Sequence, residues 1–79
     1  MKKVLQIFRS ADGQRLVEIF DHQNGFFSYE ESCEAIEDIP DLGPETYWMT
    51  SYVSGLFDSA KAAEGDARLG IVWLRSIAG

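Results

Sequence analysis

Two turn-forming dipeptides, Asp12-Gly13 and Asn24-Gly25, constrain the fold of this chain more than any other feature of its sequence. Such pairs suit the positive φ angles that a tight type I′ hairpin turn requires. They separate three segments rich in Val, Ile, Phe and Tyr, which are residues 3–10, 14–22 and 26–35. The spacing therefore predicts a three-stranded antiparallel meander in the first half of the chain.

The middle of the chain predicts a loop followed by a fourth strand. Residues 36–44 contain two prolines and a glycine, a composition typical of a loop, here one that crosses an edge of the sheet. Residues 45–53 are rich in aromatic and β-branched side chains, which favour a strand.

Beyond Ser54-Gly55 the apolar residues change to helical spacing. One stripe recurs at intervals of three and four residues, formed by Ala60, Ala63, Ala67, Ile71 and Leu74. Asp58 or Ser59 can cap the first turn, which predicts a helix over residues 59–69. Gly70 disfavours its continuation, so residues 71–75 either extend the helix or form a short strand or a second turn.

The chain is therefore expected to form a single small α+β domain over residues 1–79. Its fold class is a four-stranded antiparallel sheet, the meander plus the fourth strand, followed by one C-terminal helix packed on one face. No second core fits in a chain of this length.

The sheet is expected to carry apolar residues on both faces. In the second strand Val17 and Ile19 point away from Leu16 and Phe20, and the first and fourth strands show the same pattern. One alanine-rich helix covers only one face, which predicts that the other is buried in a symmetric homodimer. The alternative is that residues 36–44 and the C-terminal tail fold over it.

Charge is unevenly distributed along the chain. Thirteen acidic and seven basic residues give a formal charge of −6, and ten of the acids lie between Arg15 and Lys61, where there is no lysine or arginine. Nucleic-acid binding is not expected because it needs a positive surface. The acidic region either offers a surface to a basic protein partner or keeps a sheet edge solvated.

No residue pattern indicates catalysis, a cofactor or a metal site. His22 and Cys33 are each the only residue of their type, and the predicted pairing about Asn24-Gly25 keeps them apart. The glutamates Glu30 and Glu31 are adjacent on a strand and point to opposite faces. The acidic loop lacks the ligand spacing of a calcium site. The chain is therefore expected to be non-enzymatic, with no catalytic, cofactor-binding or metal residues assigned.

Five aromatic residues favour packing in a core or an interface, with an aromatic ligand platform as the alternative; they are Phe8, Phe26, Tyr47, Trp48 and Tyr52. The N-terminal apolar run is broken at Gln6 and ends at Arg9, so neither a signal peptide nor a membrane span is expected. A cytoplasmic location follows as the expectation.

One segment carries a family resemblance: Tyr47-Trp48, then Ser54-Gly55-Leu56-Phe57-Asp58-Ser59 with the alanine-rich run that follows, then Trp73-Leu74. Over residues 47–74 the chain resembles short uncharacterised proteobacterial α+β proteins, and its strand-to-helix turn is similar to that of YegP-like domains. The resemblance implies a compact bacterial α+β domain, able to dimerise, with no assigned activity and no catalytic residue to carry over.

Two functions are compatible with this sequence. The first is a small interaction or regulatory domain that acts as a homodimer and offers an acidic surface to a basic partner. The second is a small-molecule-binding protein, or an accessory subunit of an enzyme, with an aromatic-lined pocket.

Overall fold

The computed structural model describes residues 2–77 and confirms the predicted α+β fold. The elements are β1 (Lys3–Arg9), β2 (Arg15–Asp21), β3 (Phe27–Ile39), β4 (Gly43–Val53), α1 (Ala60–Gly70) and α2 (Val72–Arg75). The strands form one antiparallel sheet in chain order, and α1 packs on β2 and β3. Within residues 2–77, neither helix has the length and apolarity that crossing a bilayer requires.

The two hairpin turns lie where the dipeptides predicted them, but they are longer than type I′ turns. In the second turn the positive φ angles belong to Gln23 and Gly25. Asp21 and Asn24 each accept a backbone N–H two residues further on, from Gln23 and Phe26. These local bonds stabilise a wider loop in place of the two-residue turn.

Residues 36–44 form the end of a long hairpin, which corrects the expectation of a loop that crosses the sheet. β3 continues to Ile39, the chain reverses through Asp41 with a φ of 72°, and β4 begins at Gly43. Pro44 pairs with Asp38 and lies in β4, the last strand of the sheet. An edge strand tolerates proline because one side of it needs no ladder donors.

The hydrophobic core lies between the sheet and α1. Val17, Ile19 and Tyr29 of the sheet pack against the predicted helical stripe, of which Ala63, Ala67, Ile71 and Leu74 are buried. Ser59 caps α1 by accepting the N–H of Ala62 at 3.0 Å, which selects it over Asp58. The chain breaks at Ile71 and turns into α2, so the second-turn alternative is the one observed.

The opposite face of the sheet, here called the open face, has no second layer among the described residues. Neither predicted cover lies on it: residues 36–44 end the hairpin, and Trp73 and Ile77 of the C-terminal segment pack against the core on the helix side. Leu16 and Phe20 on the open face are nevertheless only 8% and 6% exposed. Long neighbouring side chains contribute to this low exposure, since Lys2 lies over the Phe20 ring and pairs with Glu30.

The molecule is flat and elongated. Its extents are 47 × 30 × 16 Å and its radius of gyration is 14.4 Å. A compact domain of this length would have a radius of gyration of about 12 Å. The difference arises because the hairpin of β3 and β4 extends past the part of the sheet that α1 covers.

Candidate functional site

Strand β4 is exposed on both of its faces. Every residue from Pro44 to Val53 is exposed, although β4 lies in a sheet with a helix packed on it. Its large apolar side chains are 43–59% exposed and comprise Tyr47, Trp48, Met49, Tyr52 and Val53. β4 is thus an uncovered apolar edge strand.

The lengths of the elements explain why the helix does not protect β4. An 11-residue helix is about 16 Å long, whereas an 11-residue strand extends over about 37 Å. α1 lies across β2 and β3, where the buried residues Ile19 and Tyr29 meet Ala63 and Ala67. The hairpin end, residues 34–50, has no buried residue.

The sequence of β4 contains few of the features that prevent edge-to-edge pairing. Natural edge strands use lysine, proline, inward charges or bulges for this purpose. In β4, Pro44 and Glu45 lie at the start, and the register shifts once near its end, opposite Glu31 and Ser32. Between them, residues 46–50 form an uncharged stretch with alternating side chains on two exposed faces.

A pocket opens beside the helix, between the end of α1, the first half of β3 and the end of β4. Its volume is about 460 Å³. It is lined by Tyr29, Glu31, Tyr52, Asp66, Leu69, Gly70 and Ile71. The Tyr29 and Tyr52 ring centroids are 5.8 Å apart, so the sheet contributes an aromatic wall.

Glu31 is a largely buried carboxylate at this pocket. Its side chain is 14% exposed, accepts the indole N–H of Trp73 at 2.7 Å and lies 3.6 Å from Arg15. Glu30 points to the other face, where it pairs with Lys2, as the alternation predicts. The same alternation places Glu31 on the face of Tyr29 and Cys33, and that was the signal in the sequence that this carboxylate lies against the helix.

Tyr29 joins the sheet to the helix. Its hydroxyl donates to Asp66 Oδ2 at 2.8 Å, and its ring stacks on Phe57 at a centroid distance of 6.1 Å. Burial, followed by the hydrogen bond to Asp66, raises the pKa of the Tyr29 hydroxyl well above its ordinary value. Tyr29 therefore stays protonated and acts as a donor to Asp66.

His22 and Cys33 lie at opposite ends of the β2–β3 pair, as expected. Cys33 pairs with Arg15 at the start of β2, whereas His22 follows its last residue. His22 hydrogen-bonds through Nε2 to the buried Ser28 hydroxyl at 2.7 Å. His22 is seven residues from Arg15, the partner of Cys33, and an extended strand of that length spans about 23 Å, so His22 and Cys33 form no dyad.

The structure does not gather the five aromatic residues into one platform. Phe8 packs against the core, and Phe26 is exposed in a turn. Tyr47 and Tyr52 lie on the helix side of β4, and Trp48 lies on the open face. Of these, only Tyr52 lines the pocket, together with Tyr29.

Two pairs of acidic residues lie opposite each other on neighbouring strands. Glu18 and Glu30 are opposite each other on the open face, and Glu37 and Glu45 are opposite each other near the hairpin end, close to Asp38 and Asp41. Within residues 2–77, no group of three or more His, Cys, Asp or Glu side chains has a geometry that could hold a metal ion.

No protein-family model, curated protein or solved structure matches this chain. The family resemblance over residues 47–74 therefore stays a prediction.

Proposed function

We propose that this chain is a non-enzymatic interaction domain that self-associates by pairing the β4 strands of two copies. The observation that carries the proposal is the exposure of β4 on both faces. Antiparallel pairing of two such strands would extend the sheet to eight strands, with both helices on the same side. The apolar side chains on the helix side of β4, which are Tyr47, Met49 and Tyr52, would then lie between the two helices.

The accessible surface supports a second copy as the partner. The chain exposes 5380 Å². A compact monomer of this mass exposes about 4,800 Å². The excess of roughly 600 Å² approaches the 800 Å² that each partner buries in a typical stable interface. This surface would be lost when β4 is covered.

Charge favours the antiparallel arrangement of two copies. Glu45 is the only charged residue of β4. If the pairing is centred near Trp48, the two Glu45 side chains lie about 20 Å apart, beyond the screening length at physiological salt. The same register places Tyr47 opposite Met49 and Thr46 opposite Thr50. Apolar side chains then pair across the strands with apolar ones, and β-branched side chains with β-branched ones.

The proposed contact lies at the sheet edge, whereas the sequence predicted a contact through the second face of the sheet. The two central apolar residues of the open face, Leu16 and Phe20, are already covered within one copy. Burying them in a dimer would add little free energy, because the hydrophobic gain scales with the apolar area removed from water. The apolar side chains of β4 are 43–59% exposed and have more area left to bury than these two residues.

Self-association would place one acidic hairpin end at each side of the assembly. Glu37, Asp38 and Asp41 carry no ion pair among the described residues. A basic protein is the complementary partner for these ends. A cytoplasmic location and a regulatory role fit such a domain and belong to the same proposal.

Solution mass tests the proposal with a pair of matched variants. Light scattering over a concentration series should give a mass near twice 8.9 kDa for the wild type. Met49→Lys should reduce it to the monomer mass, because the new lysine would be buried against the second copy. Ile7→Lys is the control, since Ile7 lies on the other edge strand and both side chains are 47% exposed.

Two results would overturn the β4 interface. A wild type that stays near 8.9 kDa up to millimolar concentration would show that β4 does not self-pair. A dimer that Ile7→Lys dissociates and Met49→Lys leaves intact would place the contact at β1 or on the open face, where Ile7 lies opposite Glu18.

A further inference from the structure

The pocket between α1, the first half of β3 and the end of β4 has the size of a ligand site. Its 460 Å³ lies within the range of about 300–1,000 Å³ that small-molecule sites occupy. It combines aromatic rings, aliphatic side chains and two carboxylates, and within the described residues no lysine or arginine lines it. This composition favours a ligand with a positive charge.

The two carboxylates come from different layers of the fold. Glu31 belongs to β3 and Asp66 to α1, and both line the pocket. A carboxylate has about four acceptor positions. Trp73 uses one on Glu31, with Arg15 nearby at 3.6 Å, and Tyr29 uses one on Asp66, which has no ion pair among the described residues. Acceptor capacity and negative charge therefore remain for a cationic donor.

The aromatic wall adds a second attraction for a cation. The Tyr52 ring is half-exposed beside the buried Tyr29, and the face of such a ring attracts an ammonium or guanidinium group. Ile71 at the base and the exposed Leu69 at the rim offer apolar surface for a short carbon stem. An anion would meet two carboxylates, and Arg15, which pairs with Glu31, does not line the pocket.

We propose that this pocket binds an organic cation, an ammonium or guanidinium group on a short apolar stem, held between Glu31, Asp66 and the ring of Tyr52. The pocket shares Tyr52 with the β4 surface that self-association would cover, and its other six lining residues lie outside β4. Two kinds of ligand present such a cationic group: a free small amine, and the side chain of an arginine or lysine in a peptide.

NMR titration with defined probes tests the site. The probes are 2-phenylethylammonium and butylguanidinium, with neutral 2-phenylethanol and anionic phenylacetate as matched controls. We expect the cations to shift the amide signals of Asp66, Gly70 and Ile71, and the neutral and anionic compounds to bind at least ten-fold more weakly, as expected when a charge-assisted bond is lost. A short acetylated and amidated arginine peptide distinguishes the sources. If it binds ten-fold more tightly than butylguanidinium, the ligand is a peptide side chain, and otherwise it is a free amine.

Asp66→Asn is the decisive variant because it removes the charge and keeps an acceptor for the Tyr29 hydroxyl. It should weaken binding of both cations about ten-fold. Asp38→Asn, the same change at the distant hairpin end, should leave binding within two-fold. Equal affinity for phenylacetate, shifts that map away from the pocket, no shifts at millimolar cation, or an unchanged affinity in Asp66→Asn would each overturn the proposal. The solution mass of Asp66→Asn should equal that of the wild type, which separates this test from that of the β4 interface.

Discussion

The Tyr29 side chain has neighbours in three other parts of the chain. Its ring lies beside Tyr52 of β4 and Phe57 of the following segment, and its hydroxyl bonds to Asp66 of α1. At 2% exposure it is almost fully buried. This one residue therefore links the stability of the core to the geometry of the pocket.

The raised pKa of Tyr29 makes stability depend on alkaline pH. The folded state holds the hydroxyl proton to a higher pH than the unfolded state does, where a tyrosine ionises near pH 10. The contribution of Tyr29 is thus complete below about pH 10 and is lost as the pH rises towards the folded pKa. Tyr29→Phe should lower the free energy of unfolding by about 1 kcal/mol at pH 8, for the lost hydrogen bond.

Urea denaturation at pH 8 and pH 11 measures this effect. The difference in unfolding free energy between wild type and Tyr29→Phe should shrink at the higher pH, because only the wild type loses the Tyr29 contribution. Other ionisations affect both proteins and cancel in the comparison. A difference that is the same at both pH values would contradict the assignment.

At the scale of elements, the start of α1 depends on a single cap. The Ser59 side chain accepts the N–H of Ala62, and Asp58 makes no such bond. Ser59→Ala should lower the free energy of unfolding by about 1 kcal/mol. Asp58→Ala should cost less than half as much. Urea unfolding of the two variants measures both values, and a larger loss for Asp58→Ala would show that the cap is misassigned.

The elements were largely predictable because each has a local pattern. The stripe from Ala60 to Leu74 was predicted by spacing alone, and its members pack against the core. The error at residues 36–44 has a physical cause, since proline was taken to end a strand whereas Pro44 lies in an edge strand that tolerates it. The turn type was also missed, because side-chain bonds from Asp21 and Asn24 compete with the backbone turn.

The pocket could not be predicted from local pattern. Tyr29 and Asp66 are 37 residues apart and meet only because α1 returns across β3. The exposure of β4 could not be predicted either, because it too depends on how elements distant in the sequence pack. Its alternating aromatic side chains indicate a strand, but only the short reach of α1 leaves them uncovered.

At the scale of the whole molecule, net charge gives the two proposed interactions opposite salt dependence. Two copies that each carry a formal charge of −6 repel each other, and added salt screens this repulsion. We expect self-association to become several-fold tighter between 0.01 M and 0.1 M salt. Cation binding in the pocket should become weaker over the same range.

Sedimentation velocity and NMR titration at the two salt concentrations measure these trends. Met49→Lys keeps the pocket in a monomer, so the salt dependence of cation binding can be measured without self-association. If self-association weakened with added salt, ion pairs between copies would be responsible, and apolar pairing along β4 would be the wrong description.

One tryptophan lies on the strand proposed to self-associate, and the other contacts a lining residue of the proposed pocket. Trp48 is 44% exposed on β4, and Trp73 is half-buried with its indole N–H bonded to Glu31. The intrinsic fluorescence of the chain is thus a sum of two emitters, one in water and one beside a carboxylate. A change in the first reports on the strand edge and a change in the second on the pocket, so the protein carries its own pair of optical probes.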